Sequence, residues 1–210
     1  MRKLIFALAV AFTSLLPAQT VDSSTVPKKL YIKANALFLP VGMLNAGVEY
    51  QLNKRYTVQA EVFISPWKSF MGKYAQVYMI GFDGRYYFDE AFKHWYVGAN
   101  ISAARIKIQK YNYWGDEPFQ YTETSPVYTN SDLYQNGYSL MLGAVVGYQF
   151  QLAHNWNIDL FLGAGTVQSF YRGWHKELGI RYDLDPTRDF NRSGEFLPYR
   201  GGVMISYRLK

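Results

Sequence analysis

Residues 138–152 run Tyr138-Ser-Leu-Met-Leu-Gly-Ala-Val-Val-Gly-Tyr-Gln-Phe-Gln-Leu152. Leu140, Leu142, Ala144, Val146, Tyr148, Phe150 and Leu152 fall on one face, and Ser139, Gly143, Gly147, Gln149 and Gln151 fall on the other. A period of two marks a β-strand, because successive side chains point to opposite faces of a sheet. The pattern recurs outward from this stretch. Val58, Ala60, Val62 and Ile64 oppose Gln59, Glu61 and Phe63, and Tyr78, Ile80, Phe82, Tyr86 and Phe88 oppose Gly81, Asp83 and Arg85. Ala46, Val48, Tyr50 and Leu52 likewise oppose Gly47, Glu49 and Gln51. Eight strands are expected, over residues 30–39, 44–52, 56–66, 76–89, 95–109, 137–151, 156–171 and 195–209.

Several of these runs reach the length of a tilted strand that crosses a bilayer, about 9–11 residues, and exceed the usual globular strand of about 5–6. The links alternate in length. Asn53-Lys54-Arg55, Glu90 to His94 and Ala153-His154-Asn155 are short, whereas residues 110–136 and 172–194 are long. Short turns at one end and long loops at the other are how transmembrane barrels are built. Three features turn the apolar face toward lipid. The opposite face is rich in Gly, Asn, Ser and Gln, and its charges come in both signs, as paired groups in a narrow lumen would. Aromatic residues gather where strands meet the short turns: Tyr50, Tyr56, Tyr86, Phe88, Trp95, Tyr148, Phe150, Trp156 and Tyr207. Such rings mark headgroup depth. The fold expected is all-β, an eight-stranded antiparallel up-and-down outer-membrane β-barrel over residues 30–210.

The chain has 210 residues, of which 18% are aromatic and none is cysteine. The missing cysteines exclude a disulfide scaffold, a thiolate metal site, a thiol nucleophile and a lipid-anchored cysteine. Met1-Arg2-Lys3, the apolar stretch Leu4–Leu16 and Pro17-Ala18-Gln19 form a secretory leader with cleavage expected after Ala18. Residues 19–29 then form a short periplasmic segment. Removing residues 1–18 takes Arg2 and Lys3 away and lowers the formal charge from +6 to +4. Export argues against a nucleic-acid partner. No later window holds the roughly 18 uninterrupted apolar residues that a spanning helix needs.

The last run, Arg200-Gly-Gly-Val-Met-Ile-Ser-Tyr-Arg-Leu209, resembles the terminal assembly signal of outer-membrane barrels: a polar residue, a glycine two later, then alternating apolar and aromatic positions. Arg200, Gly202, Ile205 and Tyr207 match, Leu209 extends the outward face, and Lys210 departs where many members end on an aromatic. The resemblance implies handling by the barrel-assembly machinery. Leu30-Tyr-Ile-Lys-Ala-Asn35, Asn45-Ala-Gly-Val-Glu-Tyr50 and Gly81-Phe-Asp-Gly-Arg-Tyr-Tyr-Phe88 resemble the small outer-membrane barrels of Bacteroidota-type bacteria grouped as a domain of unknown function, broadly similar to OmpX/OmpW-like barrels. That resemblance implies fold and location and no agreed activity.

Eight strands enclose only their own side chains or one small ligand, so a general porin is excluded. The inward charges Lys33, Glu49, Glu61, Asp83, Arg85, Asp159 and Arg208 are expected to form a lumen salt-bridge network, with Glu49, Glu61 and Arg85 at its centre. In the long loops Tyr113, Trp114, Phe119 and Tyr121 are candidate contact residues for a protein or glycan, or else extend the strands and pack on each other. The arginines of residues 172–194 suit lipopolysaccharide phosphates or a merely solvated loop. A lipid-modifying enzyme would need His175 with Ser169 and Glu177, and a narrow channel or small-ligand conduit is the other alternative. Acidic residues Asp116, Glu117, Asp132, Asp183 and Asp185 make no specific metal pattern. No catalytic residue, cofactor or metal is expected, and the role is structural, adhesive or interactive.

Overall fold

The computed structural model describes residues 28–185 and 187–210, so the expected leader 1–18 and nearly all of segment 19–29 lie outside the described residues. Ten strands follow in order: β1 (Leu30–Asn35), β2 (Leu44–Gln51), β3 (Tyr56–Ser65), β4 (Ala75–Tyr87), β5 (His94–Ile108), β6 (Pro118–Gln120), β7 (Val127–Thr129), β8 (Leu133–Ala153), β9 (Trp156–His175) and β10 (Asn191–Arg208). Eight of them close into an antiparallel barrel in the order β1-β10-β9-β8-β5-β4-β3-β2, and β6 with β7 forms a small hairpin inside the longest loop. The eight strands expected from alternation are therefore present, each paired with its neighbours in sequence. The seam is made by β1 on β10, from Tyr31↔Arg208 to Asn35↔Met204.

Strand ends differ from the expectation where local chemistry overrides alternation. β1 stops at Asn35 and not at residue 39. Asn35 accepts the Leu37 amide on its own side-chain oxygen, and the chain enters a 3-10 turn over Leu39–Val41 with Pro40 inside it. Gly42 closes that turn in the left-handed region, φ 69°, where a side chain would be strained. At the same end β8, β9 and β10 extend beyond their expected limits, so residues 133–136, 172–175 and 191–194 belong to strands and not to loops. The wall is consequently tall over β5, β8, β9 and β10 and low over β1 and β2.

Alternation sets the two surfaces. Ile101, Leu142 and Leu162, near mid-height on adjacent strands, are 60%, 63% and 57% exposed on the outside. Inside, the buried groups are mostly polar or charged, among them Glu49, Gln59, Asp83, Arg85 and Asp159.

Candidate functional site

The lumen is built in layers from the short-turn end upward. The first is an aromatic plug. Phe92, in the link between β4 and β5, holds φ 70°, a conformation that costs a bulky residue about 1–3 kcal/mol. It turns the ring into the barrel mouth, 4.5 Å from Tyr31 and 6.1 Å from Tyr87. Two hydrogen bonds hold the link there: Ala91 N–H donates to Lys54 O at 2.8 Å, and Asn157 Nδ2 donates to Phe92 O at 3.3 Å. Sequence reading takes residues 90–94 as a plain turn and misses this plug; the apolar Ala91-Phe92 pair within a polar link is its only sign.

Above the plug lies the charge network. Lys33 Nζ donates to Glu49 at 2.7 Å and also reaches Asp159. Arg85 contacts Glu49 at 3.2 Å, Asp159 at 2.9 Å and Asp83 at 2.9 Å. Arg200 contacts Glu61 at 2.7 Å and bonds both oxygens of Asp83. Neutral donors complete the carboxylates: Thr57 and Tyr87 to Glu49 at 2.6 and 2.8 Å, Tyr96 to Asp159 at 2.8 Å, and Asn100 to Asp83 at 2.6 Å. Three cations against four acids, each with several hydrogen bonds, is the condition under which buried charge is tolerated.

Six of the seven sequence-derived lumen residues meet in this network: Lys33, Glu49, Glu61, Asp83, Arg85 and Asp159. The seventh does not. Arg208 shares the inward column of β10 but lies at the rim, where its Nη2 donates to Asn155 Oδ1 at 2.8 Å beside the His154 ring. Arg200 is the third cation in its place, and it is Arg200, not Arg85, that pairs Glu61. A bulge between Pro198 and Arg200 helps to arm the strand. It sends two consecutive side chains inward, Tyr199 onto Asn100 Oδ1 at 2.7 Å and Arg200 onto the acids. Glycines make room for the long side chains. A Cβ at Gly163 would lie 2.7 Å from Arg200 Cγ, and one at Gly98 3.3 Å from Arg85 Cγ.

Higher still the wall turns apolar, with Ala104, Ile106 and Met141 packed by Val77, Met79 and Val167. Loop residues then cap the barrel around buried Tyr113, Leu133 and Tyr182. Burial pushes the Tyr182 and Tyr113 phenols up, so both stay neutral. Asp183 pins this cap by accepting from Gly173 N–H and Arg181 Nε, each at 2.7 Å, and from Asn191 Nδ2 at 2.5 Å. Its carboxylate is thus committed to protein donors, and among the described residues no cluster of three His, Asp or Glu is placed to hold a metal ion.

The candidate enzyme residues are not brought together. Ser169 and His175 both face inward on β9 but six residues apart, about 20 Å at the usual strand rise. Ser169 bonds Ser139 at 2.8 Å, His175 receives the Leu178 amide at 3.3 Å, and Glu177 points to solvent.

The profile of a family described as "Protein of unknown function (DUF3575)" matches residues 4–205. The chain belongs to that family. No curated protein and no solved structure matches it.

In this DUF3575 chain the loop candidates divide. Tyr113 is buried, and Phe119 and Tyr121 pack on Tyr182 at 5.5 and 6.5 Å, so these three build the cap and not an open contact surface. Trp114 remains exposed beside Tyr111, with Leu178 and Leu184 exposed on the neighbouring loop. Of the terminal-strand residues, Ile205 and Tyr207 face outward, Tyr207 against Trp156 at 4.8 Å. Gly202 holds φ 150°, and a Cβ there would strike the Asn35 amide at 2.2 Å. Leu209 lies just past β10, its amide donating to Leu30 O at 2.8 Å.

Proposed function

We propose that this chain is an integral outer-membrane β-barrel without catalytic activity, which acts as a structural or interaction protein through the exposed surface of its capped loops. The observation that carries the membrane reading is the outer belt. Trp95 and Tyr148 are register partners near the short turns, and Arg105 and Tyr138 are partners ten residues higher. Ten residues rise about 34 Å along a strand, or about 26 Å along the axis at a barrel tilt of about 40°, close to the apolar band of about 25 Å that such barrels carry. Between those rows the outside is apolar except for Thr166 and Gln168 on β9. Soluble monomers rarely expose so large a contiguous patch.

In this reading residues 1–18 direct export, and the short turns with segment 19–29 face the periplasm. The last strand engages the barrel-assembly machinery through Gly202, Ile205, Tyr207 and Leu209, and the cap faces outward. Arg105, Arg172 and Arg192, at or just above the upper aromatic row, suit lipopolysaccharide phosphates. The plug and the charge network lie in series and argue against a channel. The separation of His175 from Ser169 argues against the lipid-modifying enzyme. Exposed Trp114, Tyr111 and Leu184 suit a protein or glycan partner.

Expression with its leader in a Gram-negative host tests location: the protein should fractionate with outer membrane and change gel mobility on heating. Recovery in the soluble periplasm would overturn the reading. Trp114→Ala and Leu184→Ala should reduce co-purification from solubilised outer membrane without changing the heat shift, whereas unaltered capture would remove the cap from the role.

A further inference from the structure

Within one inward step above Glu61 and Arg200 the lumen changes from charged to apolar, and there it is not filled. A chamber of about 370 Å³ lies between Met79, Ala104, Met141 and Val167. Protein interiors rarely leave voids larger than a water molecule, whereas small-ligand cavities run from about 300 to 1,000 Å³. Most of the lining surface is apolar, although Ser139, Ser169, Glu195 and Arg200 also border it, and apolar surface favours hydrocarbon over water.

The chamber has charged groups below and above it. Its floor is the Arg200–Glu61 pair, and its roof is Lys110, whose Nζ donates to Glu195 at 2.6 Å and Ser193 at 2.8 Å beneath the cap. It is open at the side. Pairing of β1 to β10 ends at Asn35↔Met204, with one further bond from Ala36 N–H to Val203 O, so residues 191–202 of β10 have no strand partner on that side among the described residues. Phe38, stacked edge-on against Phe63 at 5.2 Å, and Leu197 stand in the gap and line the chamber. The height of the gap follows from the register. Ile101, Leu142, Thr166 and Phe196 form one continuous outward row, so Leu197 opens at the middle of the apolar belt. Higher on the same strand Arg192 pairs Phe170, which pairs Tyr138, in the upper aromatic row.

We infer that the chamber accepts one acyl chain of a phosphate-bearing lipid from the surrounding leaflet. The chain enters sideways past Leu197 while the headgroup stays outside at the level of Arg192. The inference rests on the membrane reading above. Nothing is cleaved or transferred: the site is a dead-end pocket for hydrocarbon, and burial of methylenes drives its filling.

The test is nuclear Overhauser contact in nanodiscs of dimyristoylphosphatidylglycerol, with full-length mature protein deuterated except for methionine and leucine methyls. Lipid-chain protons should show cross-peaks to the inward methyls of Met79 and Met141 as well as to the outward methyl of Leu142. Chain-deuterated lipid should erase both sets. Ala104→Trp and, separately, Val77→Trp should fill the chamber and remove the Met79 and Met141 peaks while Leu142 keeps its own. If neither variant folds, the wild-type peaks decide. Peaks at Leu142 without any at Met79 and Met141 overturn the pocket and leave the barrel reading intact. Absence at Leu142 as well overturns the membrane reading itself. Peaks at Met79 and Met141 that arise only when free myristic acid is added to chain-deuterated discs overturn the leaflet as the source.

Discussion

Arg200 and Arg208 occupy the same inward column of β10 and differ only in height. At the upper position the guanidinium meets Glu61 and Asp83, and at the lower it meets the Asn155 amide. Arg200→Ala leaves Glu61 with the Gln59 amide but no cation and Asp83 with Arg85 as its remaining cation, and should cost about 3–5 kcal/mol, the usual result of breaking a buried pair. Arg208→Ala should cost no more than about 1 kcal/mol, as exposed pairs do. Urea unfolding in one detergent measures both, and equal losses would show that the network does not hold the barrel together. The contrast also explains what could be read from the residues alone. Alternation places both arginines inward and cannot say which has acids at its own level. That depends on register carried around the ring: Arg85, Gly98, Val145, Gly163 and Arg200 form one row only because five strands pair as they do.

Among the elements, the link between β4 and β5 departs furthest from its reading as a spacer. Phe92 accepts an unfavourable backbone to fill the barrel mouth, so Phe92→Ala should lose about 3–5 kcal/mol less whatever strain it relieves. It should still fail to conduct ions in a planar bilayer, because the charge layer above remains closed. A conducting Phe92→Ala barrel would mean that the salt bridges do not seal the lumen. Strands were legible because burial on one side imposes a period of two, which local sequence records. The cap was not, since Tyr113, Leu133 and Tyr182 meet across long separations that no spacing encodes. The early end of β1 was partly legible in Pro40 and Gly42, but the side chain of Asn35 that turns the strand was not.

For the molecule as a whole, the decisive question is which solvent the outer surface meets. Leu142 sits near mid-belt, so Leu142→Arg should destabilise a membrane-embedded barrel by about 2–4 kcal/mol. In a water-soluble barrel the same change would be neutral or improve solubility, and a folding titration in lipid vesicles separates the two.

The unequal wall heights have a kinetic consequence. β8 and β9 pair from Leu133↔His175 down to Ala153↔Trp156, whereas the seam spans only residues 31–35 against 204–208. Closing the seam joins the most distant parts of the chain, the most expensive contact in loop entropy and so the last to form. The short ladder should also be the first to open. Amide hydrogens of Ala34 and Ile205 should exchange orders of magnitude faster than those of Leu142 and Leu162, and protection as strong at the seam as in β8 would contradict this order. The barrel would then breathe beside its chamber mouth, as a ring with one latch.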